Sequence, residues 1–586
     1  MDNIIKTIAN SIRNTEFADN TFVVGGFVRD KIMGNTSEDL DIVVTLPQGG
    51  IKLAQFLFNT HICSRPVIFN KFGTAQVTIQ DHKIEFVMAR SEKYQEKSRK
   101  PEVLPGTINE DIIRRDFTIN SLIMDIMNGK ILDMSQRSIS DIQNKIIRAT
   151  ANPETIFQDD PLRMLRAVRF AVQLNFTIET VTFTKIIENS QLLENISKER
   201  IRDEFSKILL SQNPATGIRL LKETRLLNFI IPDLKELDGT EQDKYHDKDM
   251  LEHTLQVLQN TPADLVIRLA ALLHDIAKPY TKTETKKEIH FYYHEAAGAK
   301  RARKILRKLK YPNYIIYKVA ILIKNHMRLK SFGNKLTNFS DSAVRRLILQ
   351  LDTELDQLLI LINADNVSRA TKYCLQEQIP NLKKRISSNL KKIKGKSLPI
   401  TGNDIILHFK VKEGKEIGII LDQARQIWID HPSWNKNKIL NAIKRGGTMT
   451  EKKVSKIVHD AVIKAAHAGE DVIKAVGNVT KEIIATVKKE DLDNKEKAQK
   501  LAKEALEGAK EGFEKVKPPT EEFVKKASIT ISDSFKEHAP KVASFVKEVF
   551  SGIVEGTKDV IDEHKKTSVK PEEKPEKSEV KEKKEE

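Results

Sequence analysis

The sequence predicts an α+β protein with a small mixed-sheet head at its N-terminus, followed by several all-helical regions. Two observations predict the sheet. Short β-branched apolar runs at residues 21–24 and 42–44 enclose a glycine turn, and residues 71–79 and 83–87 have the pattern of a β-hairpin. The third observation is that helical patterns dominate after residue 148.

Length, charge and cysteine content restrict the class of protein. A chain of 586 residues is too long for one core and predicts three or four domains. The formal net charge of +17 fits a polyanionic partner such as RNA, although the Lys-rich C-terminal segment contributes to it. Two distant cysteines, Cys63 and Cys374, argue against a disulfide framework and predict a cytoplasmic protein. The chain has no apolar run long enough to span a bilayer and no signal-peptide pattern at its start.

The most informative stretch is Gly-Gly-Phe-Val-Arg-Asp at residues 25–30, with Asp39 and Asp41 shortly after it. Glycines without a Cβ let backbone N–H groups approach a phosphate closely. Residues two apart in a strand point to the same face, so the two carboxylates can share a Mg²⁺ ion. The structural alternative is a glycine turn followed by solvated acids, but the combination between two strands favours a site.

Gly-Gly-x-Val-Arg-Asp followed by Asp-Leu-Asp resembles the head domain of the nucleotidyltransferases that add CCA to tRNA, a head that bacterial poly(A) polymerases share. The resemblance implies that Asp39 and Asp41 hold Mg²⁺ with Glu85 as a third acid, for which an exposed strand acid is the alternative. It also implies a flexible loop at residues 92–109 that acts when the terminal A is added. Gly25, Gly26 and Arg29 then belong to the nucleotide site.

A second string, Arg-Arg-Asp-Phe-Thr-Ile-Asn at residues 114–120, is similar to the next motif of this family. Arg114 and Arg115 offer always-charged bidentate donors that suit a triphosphate. Asn120, together with Asp116, is expected to fix a sugar hydroxyl. The structural alternative is a helix with an exposed basic edge.

Residues 159–170 contain the candidate base reader. Pro161 suits the first turn of a helix and Asp160 the cap before it. On that helix Arg163, Arg166 and Arg169 form one stripe. The resemblance implies that Asp160 and Arg163 hydrogen-bond the edges of both C and A, with Arg166 beside them; Asp159 departs from the family, which more often has Glu there. The alternative for Asp160 is a helix cap.

A second centre is predicted around Leu-Leu-His-Asp-Ile-Ala-Lys-Pro at residues 272–279, because His-Asp on an apolar helix is costly unless it binds something. Further histidines and acids lie in helical stretches on both sides. The pattern resembles an HD phosphohydrolase domain that holds a divalent transition metal. The resemblance implies a core set of His253, His274, Asp275 and Asp365, with His294 and His326 at a second metal or phosphate position. Metal binding without catalysis is the alternative.

The predicted domains are a catalytic head (1–148), a neck for base recognition and RNA binding (149–240), an HD domain (241–385), a helical tRNA-binding tail (386–446), an amphipathic helical appendage (447–562) and a disordered charged tail (563–586). Gly446 and Gly447 break the chain before Met449, which suggests a fusion. The thin apolar stripes of the appendage allow its helices to lie on each other, on a protein partner or on a membrane surface.

The sequence therefore predicts a CCA tRNA nucleotidyltransferase that acts on tRNA with CTP and ATP and releases pyrophosphate. Four alternatives remain at this point. They are a poly(A) polymerase, an enzyme that adds only part of CCA, an HD-domain phosphohydrolase that acts on RNA ends or cyclic nucleotides, and a scaffold whose working part is the C-terminal helices.

Overall fold

The computed structural model describes residues 1–37, 39–70, 73–93, 102–240, 249–284, 289–393, 396–445, 452–468, 471–486, 495–514, 521–538 and 546. The chain forms two compact units, residues 1–390 and residues 391–586. None of the described helices is long and apolar enough to cross a membrane.

The head is built on a seven-stranded mixed sheet with the strand order β3-β4-β5-β2-β1-β8-β9. Only the central pair β2–β5 is parallel; the other neighbours are antiparallel. Strands β6 and β7 form a separate antiparallel pair. The strands are β1 (Thr21–Val24), β2 (Leu40–Val44), β3 (Val67–Phe69), β4 (Thr74–Ile79), β5 (His82–Met88), β6 (Arg90–Lys93), β7 (Glu102–Pro105), β8 (Leu122–Asp125) and β9 (Ile131–Asp133).

Five helices accompany this sheet. They are α1 (Asp2–Ile12), α2 (Gly26–Ile32), α3 (Gly49–Asn59), α4 (Ile108–Ile113) and α5 (Ser138–Gln143). The buried side chains of Val24, Val43 and Ile123 pack with Ile112 of α4 in one cluster. The prediction of a small mixed sheet with a β4–β5 hairpin is confirmed, although its two-residue turn is Gln80-Asp81, both at positive φ, one residue earlier than expected.

The predicted flexible loop differs from the structure at both ends. Its first residues, 92–93, end strand β6, and residues 102–105 within it form strand β7; the two strands pair through Arg90↔Pro105 and Lys93↔Glu102. Its last residues, 108–109, begin α4. Residues 94–101 lie outside the described part of the chain. The polar composition concealed these strands, because strand preference depends on packing against neighbours as well as on residue type.

The helical part of the first unit begins with a neck. Its elements are β10 (Ile146–Ile147), α6 (Pro153–Asp159), α7 (Leu162–Leu174), β11 (Thr177–Ile178), α8 (Thr180–Asn189), α9 (Lys198–Leu209), α10 (Pro214–Glu223) and α11 (Leu227–Ile230). The next region contains α12 (Met250–Gln259), α13 (Leu265–Leu273), α14 (Lys278–Thr281), β12 (Lys282–Glu284), β13 (Ile289–Phe291), α15 (His294–Lys308), α16 (Asn313–Asn325), α17 (Asp341–Leu351), α18 (Leu355–Val367) and α19 (Gln378–Ile393).

The second unit consists, in its described residues, of helices and short connecting loops. It contains α20 (Gly402–Phe409), α21 (Lys415–Asp430), α22 (Lys436–Arg445), α23 (Lys452–Ala468), α24 (Val472–Thr486), α25 (Lys495–Glu514) and α26 (Glu521–His538). The last four share one apolar core that includes Val458, Val476, Leu506 and Phe535. Their apolar stripes therefore cover one another in the structure.

In the appendage Phe513 and Phe523, ten residues apart in the sequence, stack with their ring centroids 3.7 Å apart. Helices α25 and α26 bring together side chains that the sequence separates. The predicted break at Gly446-Gly447 and the predicted disordered tail at residues 563–586 lie outside the described residues.

Candidate active site and metal centre

The acids of the head meet at the central parallel strand pair. Asp41 is the second residue of β2 and is in register with Glu85 of β5 and with Val24 of β1. Directly paired residues on neighbouring strands share a face of the sheet. Asp39 is exposed and precedes the first residue of β2. The structure thus brings Asp41 and Glu85 side by side at the end of β1, where the glycine turn begins.

Gly25 connects β1 to α2 at this point. Its φ of +74° lies in the region that favours glycine. A Cβ at Gly25 would lie 3.6 Å from Arg115 Nη1 and 3.7 Å from Asp41 Oδ2. The turn therefore runs directly past the acid and a guanidinium, which leaves backbone rather than side chain at the surface of the site.

Burial and mutual repulsion perturb these acids. Desolvation raises the pKa of Asp41, with Asp39 adding to the shift while Arg115 and Arg166 oppose it. Desolvation also raises the pKa of Glu85, reinforced by the charge of Asp41 and opposed by Arg90. Carboxylates whose charges repel one another in this way favour a bound cation.

Four predicted nucleotide-binding residues form one hydrogen-bonded network behind the acids. Arg29 Nη1 donates to Asn120 Oδ1 at 2.9 Å, and Asn120 Nδ2 donates to Asp116 Oδ1 at 3.1 Å. Arg166 Nε donates to the other Asp116 oxygen at 2.7 Å. Burial opposes ionisation of Asp116, but the Arg166 charge and the hydrogen bonds of Asn120 and the Phe117 N–H outweigh it and lower its pKa. The network links the head to neck helix α7.

Arg114 and Arg115 are both oriented by Asp111, a residue that the sequence analysis did not select. Its carboxylate is fully buried; Arg115 Nη2 donates to Oδ2 at 2.9 Å, and Arg114 pairs with Oδ1. Arg114 Nε also donates to the Arg90 carbonyl at 3.2 Å. The spacing of three and four residues from Asp111 to the arginines was the available signal, since such pairs face each other on a helix.

The two candidate base readers lie close in sequence but point to different partners. The Asp160 carboxylate accepts from the Leu162 N–H at 3.2 Å and pairs with Arg200 Nη2 at 2.8 Å. Arg163 is buried and donates to the Arg114 carbonyl at 2.6 Å and to the Ile156 carbonyl at 3.3 Å. The capping alternative for Asp160 is thus present in the structure, and Arg163 joins the neck to the arginine motif.

A further group of arginines surrounds Phe170, which the sequence analysis did not select. The guanidinium carbons of Arg29, Arg166 and Arg169 lie 5.6, 5.3 and 4.2 Å from its ring centroid. Arg169 Nε also lies 2.9 Å from Glu204 Oε2 on neck helix α9. Cation–π contacts of this kind hold like charges together around one buried ring.

The second centre gathers residues from five places in the helical region. His253 lies in α12 and Asp365 in α18, as expected. His274 and Asp275 were expected within a helix but lie in the turn after α13, which ends at Leu273. His294 is the first residue of α15. His326 begins a 3-10 turn after α16.

All six side chains are buried and their ligand atoms converge. Asp275 lies near the middle: its Oδ2 is 3.1 Å from His274 Nε2, and its Oδ1 is 3.3 Å from His294 Nε2 and 3.8 Å from His326 Nε2. His253 Nε2 is 3.2 Å from Asp365 Oδ1. Among the described residues, two sets of ligand atoms lie within 4.8 Å of one another; they are His253, His274 and Asp365, and His274, Asp275 and His326.

Backbone carbonyls orient the imidazoles. The Nδ1 atoms of His274, His294 and His326 lie 2.7–2.8 Å from the carbonyls of Ala271, Phe291 and Ile323. A carbonyl can only accept, so each Nδ1 carries a proton and each Nε2 is directed to the centre. Once Nε2 is deprotonated, the ring has the tautomer that metal-ligating histidines use.

The ionisation of the centre also suits a cation. Burial lowers the pKa of His326 well below its usual range, and the neighbouring histidines lower it further. Burial opposes ionisation of Asp275, yet the charges of His274 and Lys278 lower its pKa well below the usual range. The buried His274 Nε2 and Asp365 Oδ1 make no hydrogen bond of good geometry. Nitrogen and carboxylate donors in such a closed cluster fit a divalent transition metal.

Comparison with protein families matches three regions of the chain. Residues 21–148 match the poly A polymerase head domain, and residues 250–369 match the HD domain. Residues 175–237 match a family model named "Probable RNA and SrmB- binding site of polymerase A". The three regions follow one another in the order in which the sequence analysis placed head, neck and HD domain.

Among curated proteins, a tRNA nucleotidyltransferase of Schizosaccharomyces pombe is 32% identical over 39% of this chain and 51% of its own length. Relatives of this identity are matched over about half of their length or less. A CCA-adding enzyme of Enterococcus faecalis is 28% identical over 72% of this chain and 90% of its own. A CC-adding tRNA nucleotidyltransferase of Thermus thermophilus is 26% identical over 68% and 87%.

The fold has a solved counterpart. The crystal structure of a Bacillus stearothermophilus CCA-adding enzyme with CTP matches with a TM-score of 0.57 and 22% identity, over 76% of this chain and 98% of that one. At this identity the match concerns the fold alone. The chain therefore contains regions that match a poly A polymerase head domain and an HD domain, and it is similar over part of its length to tRNA nucleotidyltransferases and CCA-adding enzymes.

Proposed function

We propose that this protein adds CCA to the 3′ end of tRNA without a nucleic-acid template, using CTP and ATP. The observation that carries the proposal is the placement of Asp41 and Glu85 on neighbouring parallel strands, beside the Gly25 turn and the Arg115 guanidinium. In the reaction the terminal 3′-oxygen of the tRNA forms a bond to the α-phosphorus of the nucleotide. The bond to the bridging oxygen breaks, pyrophosphate leaves, and the hydroxyl proton is lost to solvent.

Asp39, Asp41 and Glu85 would hold Mg²⁺ in the head. The fit rests on their hard oxygen donors, and the raised pKa values of Asp41 and Glu85 indicate two carboxyl groups whose charges a divalent cation would stabilise. When bound, Mg²⁺ supplies charge neutralisation for the phosphoryl group in transfer.

The remaining residues act by position and charge. The backbone at Gly25 and Gly26 faces the triphosphate, since no side chain separates it from Asp41. Arg115, oriented by buried Asp111, places a fixed positive charge beside that turn. Asn120 is held from both sides by Arg29 and Asp116, which fixes its amide for a sugar hydroxyl. Such preorganised donors act without reorganising during the reaction.

Asp160 and Arg163 are proposed as the base readers. Asp160 keeps a partly exposed carboxylate whose partner Arg200 is itself exposed, so a base can replace that partner. Arg163 donates hydrogen bonds to the Arg114 and Ile156 carbonyls, and it must give these up before it can donate to the edge of a base. Base recognition would therefore be coupled to the arginine motif through Arg114.

The test is end-sequencing of a tRNA transcript that lacks CCA, after incubation with the protein, Mg²⁺, CTP and ATP. Addition of C, C and A that then stops supports the proposal. A long A tail would assign a poly(A) polymerase. Addition of CC or of A alone would assign an enzyme that adds only part of CCA, as the CC-adding relative from Thermus thermophilus is named for doing.

A second candidate function belongs to the HD centre, where four imidazoles and two carboxylates converge in a buried cluster. We propose that a divalent transition metal held there supports hydrolysis of phosphate esters at RNA ends or in cyclic nucleotides. Asp39→Ala separates the two functions, because it removes a head acid and leaves every HD ligand in place. Loss of transfer with retained hydrolysis of a 2′,3′-cyclic nucleotide supports both assignments.

The cytoplasmic location remains a prediction. The same holds for a protein partner or membrane surface that would bind the C-terminal helices.

A further inference from the structure

Strand β13 precedes His294 of the HD centre, and an aromatic pair at its end has no role in the proposed chemistry. His290 and Tyr292 stack with ring centroids 5.2 Å apart and planes 24° from parallel. Tyr292 is 57% exposed, although tyrosine has a large apolar ring. The stacked pair therefore presents an exposed aromatic ring to solvent.

Strand geometry explains why these rings face outward. His290 lies in β13 and Tyr292 directly follows it, so the two residues are two apart and share a face. Phe291 between them points inward, where it is buried and its ring centroid lies 5.4 Å from Lys278 Nζ. Lys278 in turn lies 2.7 Å from Asp275 Oδ2. The strand is thus held to the centre through Phe291, while Tyr292 beside it is exposed.

The chain then turns from the aromatic pair into the metal centre within two residues. Tyr293 has a φ of +62°, a conformation that non-glycine residues rarely adopt. This turn makes His294 the first residue of α15, with its Nδ1 2.7 Å from the Phe291 carbonyl. The Nε2 of His294 lies 3.3 Å from Asp275 Oδ1. An exposed aromatic surface therefore adjoins a ligand of the centre along a constrained backbone.

Cationic side chains accompany the ligands. Besides Lys278, Arg369 Nη2 lies 3.9 Å from Asp365 Oδ2. A phosphate bound at the centre would meet these cations, whereas a group extending outward past His294 would meet aromatic rings.

We propose that His290 and Tyr292 form a stacking subsite for a nucleobase, so that the HD centre takes a nucleotide, held by its phosphate at the centre and its base on the rings. Base–aromatic stacking tolerates any base, because every base has a π-face. The subsite therefore recognises nucleotides as a class and does not select one base. This inference rests on the HD candidate function but concerns binding, which can be measured without turnover.

The experiment compares two probes, AMP and ribose 5-phosphate, which share a phosphate and sugar and differ in the base. Binding to the full chain in the presence of Mn²⁺ is measured by hydrogen exchange of the β12–β13 hairpin, so that binding at the head does not enter the reading. From the concentration dependence of this protection, we expect AMP to bind on the order of tenfold more tightly than ribose 5-phosphate.

Variants of exposed tyrosines locate the effect. Tyr292→Ala is expected to weaken the binding of AMP by roughly tenfold and to leave the binding of ribose 5-phosphate unchanged. Tyr292→Phe keeps the aromatic ring and should keep the affinity for AMP. Tyr314→Ala is the matched control, because Tyr314 is 65% exposed on helix α16. Equal binding of the two probes, or AMP affinity unchanged in Tyr292→Ala, would overturn the inference.

The outcome is separable from that of the HD hydrolase proposal. If protection of the hairpin depends on the base but no phosphate ester is hydrolysed, the subsite is supported and the proposed hydrolase activity is contradicted. If 2′,3′-cyclic AMP and the cyclic phosphate of ribose are hydrolysed equally well, the activity is supported and the subsite is contradicted. A short RNA with a 3′-phosphate, used in place of AMP, shows whether the subsite prefers RNA ends or free nucleotides.

Discussion

The head and the HD centre are both candidate metal sites, but their candidate ligands differ in how far they are buried and held in place by the protein. In the HD centre six candidate ligand side chains are buried, and backbone carbonyls orient three of the histidines. In the head, Asp39, Asp41 and Glu85 are all exposed, and the pKa values of Asp41 and Glu85 are raised. Among the described residues the close ligand sets lie only in the HD centre.

The difference reflects what completes each site. Mg²⁺ usually takes one or two carboxylates and substrate phosphates as ligands, so a head site can stay incomplete until the nucleotide arrives. A cluster of imidazoles and carboxylates can hold a transition metal by itself. We therefore expect the HD metal to remain with the protein and the head metal to arrive with its substrate.

The largest effect is expected for Asp41→Ala. A metal contributes several kcal/mol to phosphoryl transfer, so the loss of this ligand should reduce the rate of CCA addition by about 10³-fold or more. Single-turnover extension of a tRNA transcript measures it. Asp19→Ala, an exposed acid before β1, is the control and should extend normally. If the HD metal content fell together with the activity in Asp41→Ala, the two sites would not be independent.

The next effect concerns the metal of the HD centre. After desalting without nucleotide, the wild-type chain should retain a transition metal that elemental analysis detects, and His274→Ala should lose it. Removal of the metal should also increase hydrogen exchange of α13, because a ligand at 100 times its Kd stabilises by about 2.7 kcal/mol. His61→Ala, at an exposed histidine of the head, should keep the metal. A metal-free wild-type protein would contradict the contrast between the sites.

A smaller effect is expected from the charge network behind the head acids. Arg166→Ala removes the ion-pair partner of the buried Asp116 carboxylate. Because a buried charge without its partner is costly, the free energy of local opening of α7 should fall by about 2 kcal/mol. Adding Asp116→Asn should recover part of this loss, since no carboxylate then remains unpaired. Hydrogen exchange of α7 measures both. An additive double variant would show that the pair is not coupled.

The pH dependence of that effect follows from the lowered pKa of Asp116. A carboxyl with a lowered pKa stabilises the folded state above its unfolded pKa, and this contribution is lost as pH falls through the folded pKa. The difference between wild type and Arg166→Ala in the free energy of local opening of α7 should therefore be largest at neutral pH and should decrease below about pH 4. A difference that is constant down to pH 2 would exclude Asp116 as its source.

The smallest effect is expected from deletion of residues 449–586. The four helices of this segment share their own apolar core, and the E. faecalis relative is matched over 90% of its length by 72% of this chain. We expect tRNA affinity and turnover to be unchanged in steady-state assays. A clear loss of either would favour the scaffold alternative and give the appendage a part in catalysis.

The sequence was most informative where chemistry and local spacing coincide. The two strands around the glycine turn, the hairpin β4–β5 and the HD-domain histidines could be predicted because each is specified within a few residues or by a motif. Less local features were missed. Asp111, Phe170 and Glu204 orient arginines of the candidate site; the first two lie within about one helical turn of arginine partners, but Glu204 is remote in sequence from Arg169.

What the sequence determined by itself is the set of reactive groups and the order of the regions that carry them, since residue type and periodicity are local properties. What the tertiary structure decided is which groups meet. It paired Asp41 with Glu85 through strand register, turned Arg163 onto backbone carbonyls, and closed six HD side chains into one buried centre. The physical reason is that burial and electrostatic coupling depend on distances between segments far apart in the chain, which only packing sets.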